Sequence, residues 1–203
     1  AALADYDRAL AINPDMTDGY INRGNTYLAL KHYDAALSDY GQALALNPDD
    51  ALALSNRALA HIAVRDYAAA LSDSERAIEL DPDYDGAHIN RALLYFKLRQ
   101  YETALADLNR ALALNPDRGV SYSFRGAIHT ELGDYDAALA DHARALELDP
   151  DEAAGYAARG ITYNRINDRA AALADLDRAI ALTPYEPDAY TMRAIVHIDH
   201  RHI

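Results

Sequence analysis

Eight histidines and 32 acidic residues are the side chains of this 203-residue chain best suited to chemistry. Histidine serves general acid–base work and metal ligation near neutral pH, and grouped carboxylates serve both as well. The densest group is the C-terminal VHIDHRHI, with His197, Asp199, His200 and His202. On a helix His197 and His200 lie three residues apart and could share a metal; the competing reading is a plain surface cluster. His61, His129 and His197 also belong to a regular series, alternating every 34 residues with Tyr27, Tyr95 and Tyr163. A site that takes either ring wants a packed ring with a polar edge, which points to core packing and not to catalysis. There is no cysteine, so thiol catalysis, disulfides and Cys-based metal sites are excluded. No GxxxxGK[ST], GxGxxG, GxSxG or HExxH occurs. No catalytic, cofactor or metal residue is assigned, and the chain is expected not to be an enzyme.

Most of the carboxylates follow the same 34-residue period, and so do arginines. Arg recurs at 23, 57, 91, 125, 159 and 193, and Asp at 5, 39, 73, 107, 141 and 175. Arginine clamps a carboxylate through two parallel hydrogen bonds. Five structural ion pairs are therefore expected: Arg23 with Asp39, Arg57 with Asp73, Arg91 with Asp107, Arg125 with Asp141 and Arg159 with Asp175. The alternative is that these arginines grip a ligand carboxylate, but the matched Asp would satisfy each of them first. Arg193 and Asp5 lack this counterpart and would meet if chains joined head to tail.

The period itself is set by prolines at 14, 48, 82, 116, 150 and 184, with only Pro187 outside the series. Between successive prolines the apolar spacing is helical twice. In residues 17–50, TDGYINRGNTYLALK carries Tyr20, Tyr27 and Leu30, and DAALSDYGQALAL carries Leu37, Tyr40 and Leu44. Asp34 is expected to cap the second helix, and Asp49 or Asp50 the next first helix. Asn47-Pro48 ends the second helix, since the residue before proline leaves helical geometry. Each period is thus a pair of short antiparallel helices. The chain reads as one array: a half repeat at 1–16, repeats at 17–50, 51–84, 85–118, 119–152 and 153–186, and a half repeat at 187–203.

We number each period from the third residue after its proline. Position 8 is then always Gly or Ala, positions 20 and 27 are always Ala, and position 17 is Tyr33, Tyr67, Tyr101 and Tyr135 until Arg169 breaks the series. Small residues let two helices approach closely. This pattern resembles the tetratricopeptide repeat (TPR), over the whole chain. The resemblance implies an all-α, right-handed α-solenoid of stacked helix pairs, a scaffold that binds a partner protein or peptide in a concave groove and does no chemistry. It also implies that positions 2, 5, 6, 9, 12 and 13 of the first helices line that groove. The implied groove residues are Ile21, Asn22, Asn25, Asn56, Leu59, Ile62, Ile89, Asn90, Leu93 and Phe96.

Asn22, Asn56 and Asn90 share position 6 in three consecutive repeats. An amide side chain both donates and accepts, so a ladder of them could hold an extended peptide backbone. This is similar to the asparagine ladder in the TPR region of a protein-glycosylating transferase. The competing reading is hydrogen bonding to water or to local groups. The family's carboxylate clamp needs basic residues at positions 2, 5 and 6, which are missing, so an apolar or basic peptide is expected and not an acidic one.

The net charge of −13 argues against nucleic acid and against anionic membrane surfaces. No run of eighteen apolar residues suggests a membrane span, and the cytoplasm is the expected location. The unpaired halves at the ends allow two readings: a fragment of a longer array, or head-to-tail self-association through the half repeats.

Overall fold

The computed structural model describes residues 2–199. Twelve α-helices account for the secondary structure among them, with no strand. In chain order they are α1 (Ala2–Ile12), α2 (Thr17–Ala29), α3 (Tyr33–Leu46), α4 (Ala51–Ala63), α5 (Tyr67–Leu80), α6 (Asp85–Lys97), α7 (Tyr101–Leu114), α8 (Gly119–Leu132), α9 (Tyr135–Leu148), α10 (Ala153–Arg165), α11 (Arg169–Leu182) and α12 (Pro187–Asp199). The heaviest packing is within α2/α3, α4/α5, α6/α7, α8/α9 and α10/α11, the pairs enclosed by successive prolines. This is the all-α architecture of stacked helix pairs. By compactness the chain forms two units, Ala1–Leu114 and Asn115–Ile203, divided between α7 and α8.

The turns explain where the helices stop. In the five complete repeats the first helix ends through a residue at position 15 with positive φ: Lys31 (62°), Arg65 (64°), Arg99 (58°), Gly133 (80°) and Asn167 (62°). A left-handed residue there lets backbone amides reach back to the last carbonyls of the helix. Thus the Asp66 amide donates to the His61 carbonyl and the Asp134 amide to the His129 carbonyl, both at 2.9 Å. The second helix opens two residues earlier than the sequence suggested, at Tyr33 and not after Asp34. Its cap is position 16, where Asp66, Asp134 and Asp168 accept from the amides of Ala69, Ala137 and Ala171. Asp34 is therefore not a cap. It sits in the first turn of α3, whose N-cap His32 makes no side-chain capping bond. For α4 the cap is Asp50, which accepts from Ala53 N at 2.9 Å.

The core forms where small residues meet. Ala36, Ala70, Ala104, Ala138 and Ala172 at position 20 are sealed from solvent, as are Ala43, Ala77, Ala111 and Ala145 at position 27. Position 8 answers position 24 across each pair. A Cβ on Gly24 would lie 2.8 Å from the Tyr40 ring, and one on Gly126 would lie 2.8 Å from the His142 ring. Where position 24 is Ser74 or Leu108, position 8 is Ala58 or Ala92. Each ring at position 24 thus comes with glycine at position 8, and Gly160 faces Leu176, whose Cγ a Cβ there would approach to 3.1 Å.

His142 is the costliest tenant of this core. It is completely buried, and neither ring nitrogen has a hydrogen-bond partner. Burial disfavours the charged ring and pulls its pKa from 6.5 to about 4, against a smaller upward pull from Asp141. The native ring is therefore neutral, and below its ordinary pKa the unfolded chain binds a proton that the native chain refuses. Stability contributed here is complete above about pH 6.5 and falls by about 3 kcal/mol as pH drops towards 4. The equivalent positions hold Leu108 and Leu176, both fully buried. The variant His142→Leu should be at least as stable at pH 7 and should lose less thermal stability between pH 7 and pH 4. Parallel melting-temperature profiles for parent and variant would show that His142 is not held neutral.

The inner face of the first helices

Charge is committed to structure first. In all five complete repeats the guanidinium at position 7 donates from Nε and Nη2 to the two oxygens of the Asp at position 23. The distances are 2.8 and 2.7 Å for Arg23–Asp39, 2.7 and 2.7 Å for Arg57–Asp73 and 2.8 and 2.7 Å for Arg91–Asp107. They are 2.7 and 2.7 Å for Arg125–Asp141 and 2.7 and 2.8 Å for Arg159–Asp175. These aspartates are only 4–7% exposed. Burial pushes the Asp107 carboxyl up, and the hydrogen bonds from Arg91 and His88 outweigh it, so the group stays below its ordinary pKa. Rings at position 4 sit against four of the position-7 guanidinium groups: Tyr20, Tyr122, Tyr156 and Tyr190 lie 5.5–5.7 Å from Arg23, Arg125, Arg159 and Arg193. Arg193 has no partner at position 23 but is held by Asp177. The Asp177 contact uses Nη1 alone, as Arg23 uses Nη1 for Asp7 while Nε and Nη2 hold Asp39.

A second ladder was missed in the sequence. Arg76, Arg110 and Arg178 at position 26 donate to Asp49, Asp83 and Asp151, the residues after the prolines, at 2.8, 2.8 and 3.2 Å. Arg144 lies 3.6 Å from Asp117. The signal was present as an Asp and an Arg 27 residues apart in four periods.

The inner face of the first unit is where α2, α4 and α6 leave unfilled space. An open cavity of about 560 Å³ runs across all three helices. Its floor is Leu28, Leu59, Ile62 and Leu93, and its walls include Tyr33, Tyr67 and the basic residues Lys31, Arg65 and Lys97. Of the groove residues inferred from the sequence, Leu59, Ile62 and Leu93 meet here. Ile21 does not: it is 3% exposed and packs with Ala43, Leu44, Ala53 and Leu54. Position 5 faces the neighbouring helices, as Ser55 with no exposure also shows, so Ile21 is withdrawn from the groove. Ile89 is half-buried and does not line the cavity, and Phe96 packs on Tyr101 with ring centres 5.7 Å apart.

The asparagines are partly spent on the protein itself. Asn56 Nδ2 donates to Asn25 Oδ1 at 2.9 Å, and the buried Tyr40 hydroxyl donates to the same oxygen at 2.7 Å. Asn90 Nδ2 donates to the Ser55 hydroxyl and carbonyl at 2.9 and 3.2 Å. Asn22 is exposed and its side chain makes no such bond. The amides therefore lie across consecutive repeats as sideways links.

The histidines hold to packing and local bonds. His61 and His129 stand 3.8 and 3.9 Å from Asp66 and Asp134, and His197 Nδ1 accepts from Arg169 at 3.0 Å. His200 and His202 lie outside the described residues. Among the described residues no group of three or more His, Asp or Glu is placed to hold a metal, and no helix is long and apolar enough to cross a membrane.

Family comparison agrees with this geometry. The tetratricopeptide repeat profile matches residues 57–126 and 125–197, and a second tetratricopeptide repeat profile matches 17–50. The chain belongs to the tetratricopeptide repeat family. No curated protein sequence matches it. Among solved structures it is similar to TTC0263, a thermophilic TPR protein of Thermus thermophilus. That match has 27% identity and a TM-score of 0.83 over 90% of this chain and 99% of that one. It is also similar to YrrB, described as a TPR protein with an unusual peptide-binding site, at 27% identity and a TM-score of 0.61 over 96% and 100% of the two chains. Cut9–Hcn1 of the APC/C shares the fold, with 18% identity and a TM-score of 0.84 over 96% of this chain and 38% of that one. TPR proteins are generally non-enzymatic scaffolds for protein–protein interaction.

The clamps predict a specific asymmetry. Asp73→Ala strands the partly buried Arg57 and should cost about 3 kcal/mol, whereas the double variant Arg57→Leu/Asp73→Leu should recover at least half of that loss. Urea unfolding followed by circular dichroism measures both. A single-variant loss under about 0.5 kcal/mol would place the pair with ordinary surface ion pairs.

Proposed function

We propose that the first unit binds a peptide segment of a partner protein across α2, α4 and α6. The carrying observation is the cavity of about 560 Å³ that spans three consecutive first helices on an apolar floor. Ligand sites are concave and mostly apolar, with a few polar groups at their edge. A single continuous depression over three repeats suits an elongated ligand, either extended or as one face of a helix. The free amide atoms of Asn22, Asn56 and Asn90 lie towards the position-6 side of the same helices and can bond the peptide backbone beside the apolar floor. The likeness to YrrB supports a peptide ligand without deciding its sequence.

The expected loss is simple to measure. Leu59→Ser/Leu93→Ser removes two apolar contacts from the floor, and peptides selected on the parent should bind about tenfold or more weakly. Fluorescence anisotropy reads the affinity, and circular dichroism confirms that the helices remain. Equal affinity for parent and variant would move the binding site elsewhere. Asn22→Ala/Asn56→Ala/Asn90→Ala should weaken the same peptides by a few-fold, and unchanged affinity would assign the amides to structure alone.

A further inference from the structure

We propose that the bound segment is acidic as well as apolar: side-chain carboxylates of the partner peptide pair with Lys31, Arg65 and Lys97, while its apolar side chains rest on the Leu28–Leu93 floor. This rests on the peptide-binding reading above and names the chemistry of its ligand.

Three observations carry it. First, three of the eleven residues lining the cavity are cationic and none is acidic, in a chain with 32 acidic and 19 basic residues. Both lysines of the entire chain are there. Second, these cations have nothing to hold. Every described arginine at positions 7 and 26 of the complete repeats faces an aspartate of the chain. By contrast, among the described residues Lys31, Arg65, Lys97 and Arg99 make no ion pair and no side-chain hydrogen bond. In the second unit Arg165 stands 3.9 Å from Glu131, where both line another cavity, so that one contains its own counter-charge. Third, Lys31, Arg65 and Arg99 occupy the left-handed turn position, with φ of 58–64°, where Gly133 serves in α8/α9. Glycine enters that region without penalty and a long basic side chain does not, so the turn alone gives no reason for three consecutive basic residues.

Cations near a helix C-terminus also complement its dipole. That effect is felt in stability, and ligand binding separates it from recognition. Side-chain carboxylates fit better than a chain terminus, because the cations are spread over three repeats and one terminal carboxylate cannot meet them all. The sequence expectation of an apolar or basic peptide was drawn from positions 2, 5 and 6, whereas these cations stand at positions 13 and 15.

The test pans a random peptide library, with blocked C-termini, on the parent and on two variants: Lys31→Gln/Arg65→Gln/Lys97→Gln and Leu59→Ser/Leu93→Ser. The expected result is enrichment of peptides in which Asp or Glu flanks apolar residues. Their affinity should fall about tenfold in the Gln variant, and about as much on raising salt from 50 to 500 mM, because exposed ion pairs are screened. Replacing Glu by Gln in a selected peptide should cause the same loss on the parent and little further loss on the Gln variant. Enrichment of neutral or basic peptides that depend on Leu59 and Leu93 would overturn the acidic ligand and leave the peptide site standing. No enrichment above the Leu59→Ser/Leu93→Ser control would overturn both. Circular dichroism checks folding, and if the Gln variant is misfolded, the Glu-to-Gln peptide comparison on the parent alone decides the matter.

Discussion

A buried carboxylate has to be met, and in this protein the meeting point is the same in every helix pair. Asp39, Asp73, Asp107, Asp141 and Asp175 are almost closed to solvent, and each takes two hydrogen bonds from the arginine sixteen residues earlier. A charged group in that setting loses its hydration and is tolerable only with a matched partner. Because the two members sit on different helices, the pair permits one depth and one offset between them. Alanine at positions 20 and 27 makes that depth reachable, and position 8 is trimmed to glycine wherever a ring faces it. Such a clamp adds little net stability while excluding other registers.

That constraint determines what is left for function. Ten arginines at positions 7 and 26 across the complete repeats and α12 are tied to aspartates, on the pair contact and along the outer ladder. The rings near them pack against guanidinium groups or into the core. Among the groups left without such a partner, Lys31, Arg65 and Lys97 share one depression with an apolar floor across α2, α4 and α6. An acidic protein with an internally neutralised framework thus keeps a local basic edge. Its net charge describes the outer surface and says little about this cavity.

Not every core position is optimised for stability. His142 fills a place that leucine fills in two other repeats, its ring nitrogens are without partners, and burial depresses its pKa. The basic residues at the left-handed turns carry a similar backbone cost. Both depart from the otherwise regular repeat, and the turn residues adjoin the candidate site, where local cost is commonly tolerated.

Period, helix pairing and the Arg–Asp partners were legible in the sequence, because each depends on spacing: prolines 34 apart end helices, and residues 16 apart in a hairpin face each other. The family itself was legible for the same reason. Side-chain direction was not. Ile21 and Leu59 are both apolar residues of first helices, yet Ile21 is buried under α4 and Leu59 floors the cavity. Asn56 and Asn90 share a position with Asn22, yet their amides turn to Asn25 and Ser55 on the first helix of the preceding repeat. The cap moved from Asp34 to position 16 because the left-handed residue before it shortens the turn. Lys31 and Arg65 share position 15 and Lys97 stands at position 13, and as letters they look unremarkable; only stacking brings them to one cavity. Periodicity determines which helices form and pair, since it acts through neighbours along the chain. The chemistry of the inner face was decided by packing, since it depends on which groups of adjacent repeats consume one another first.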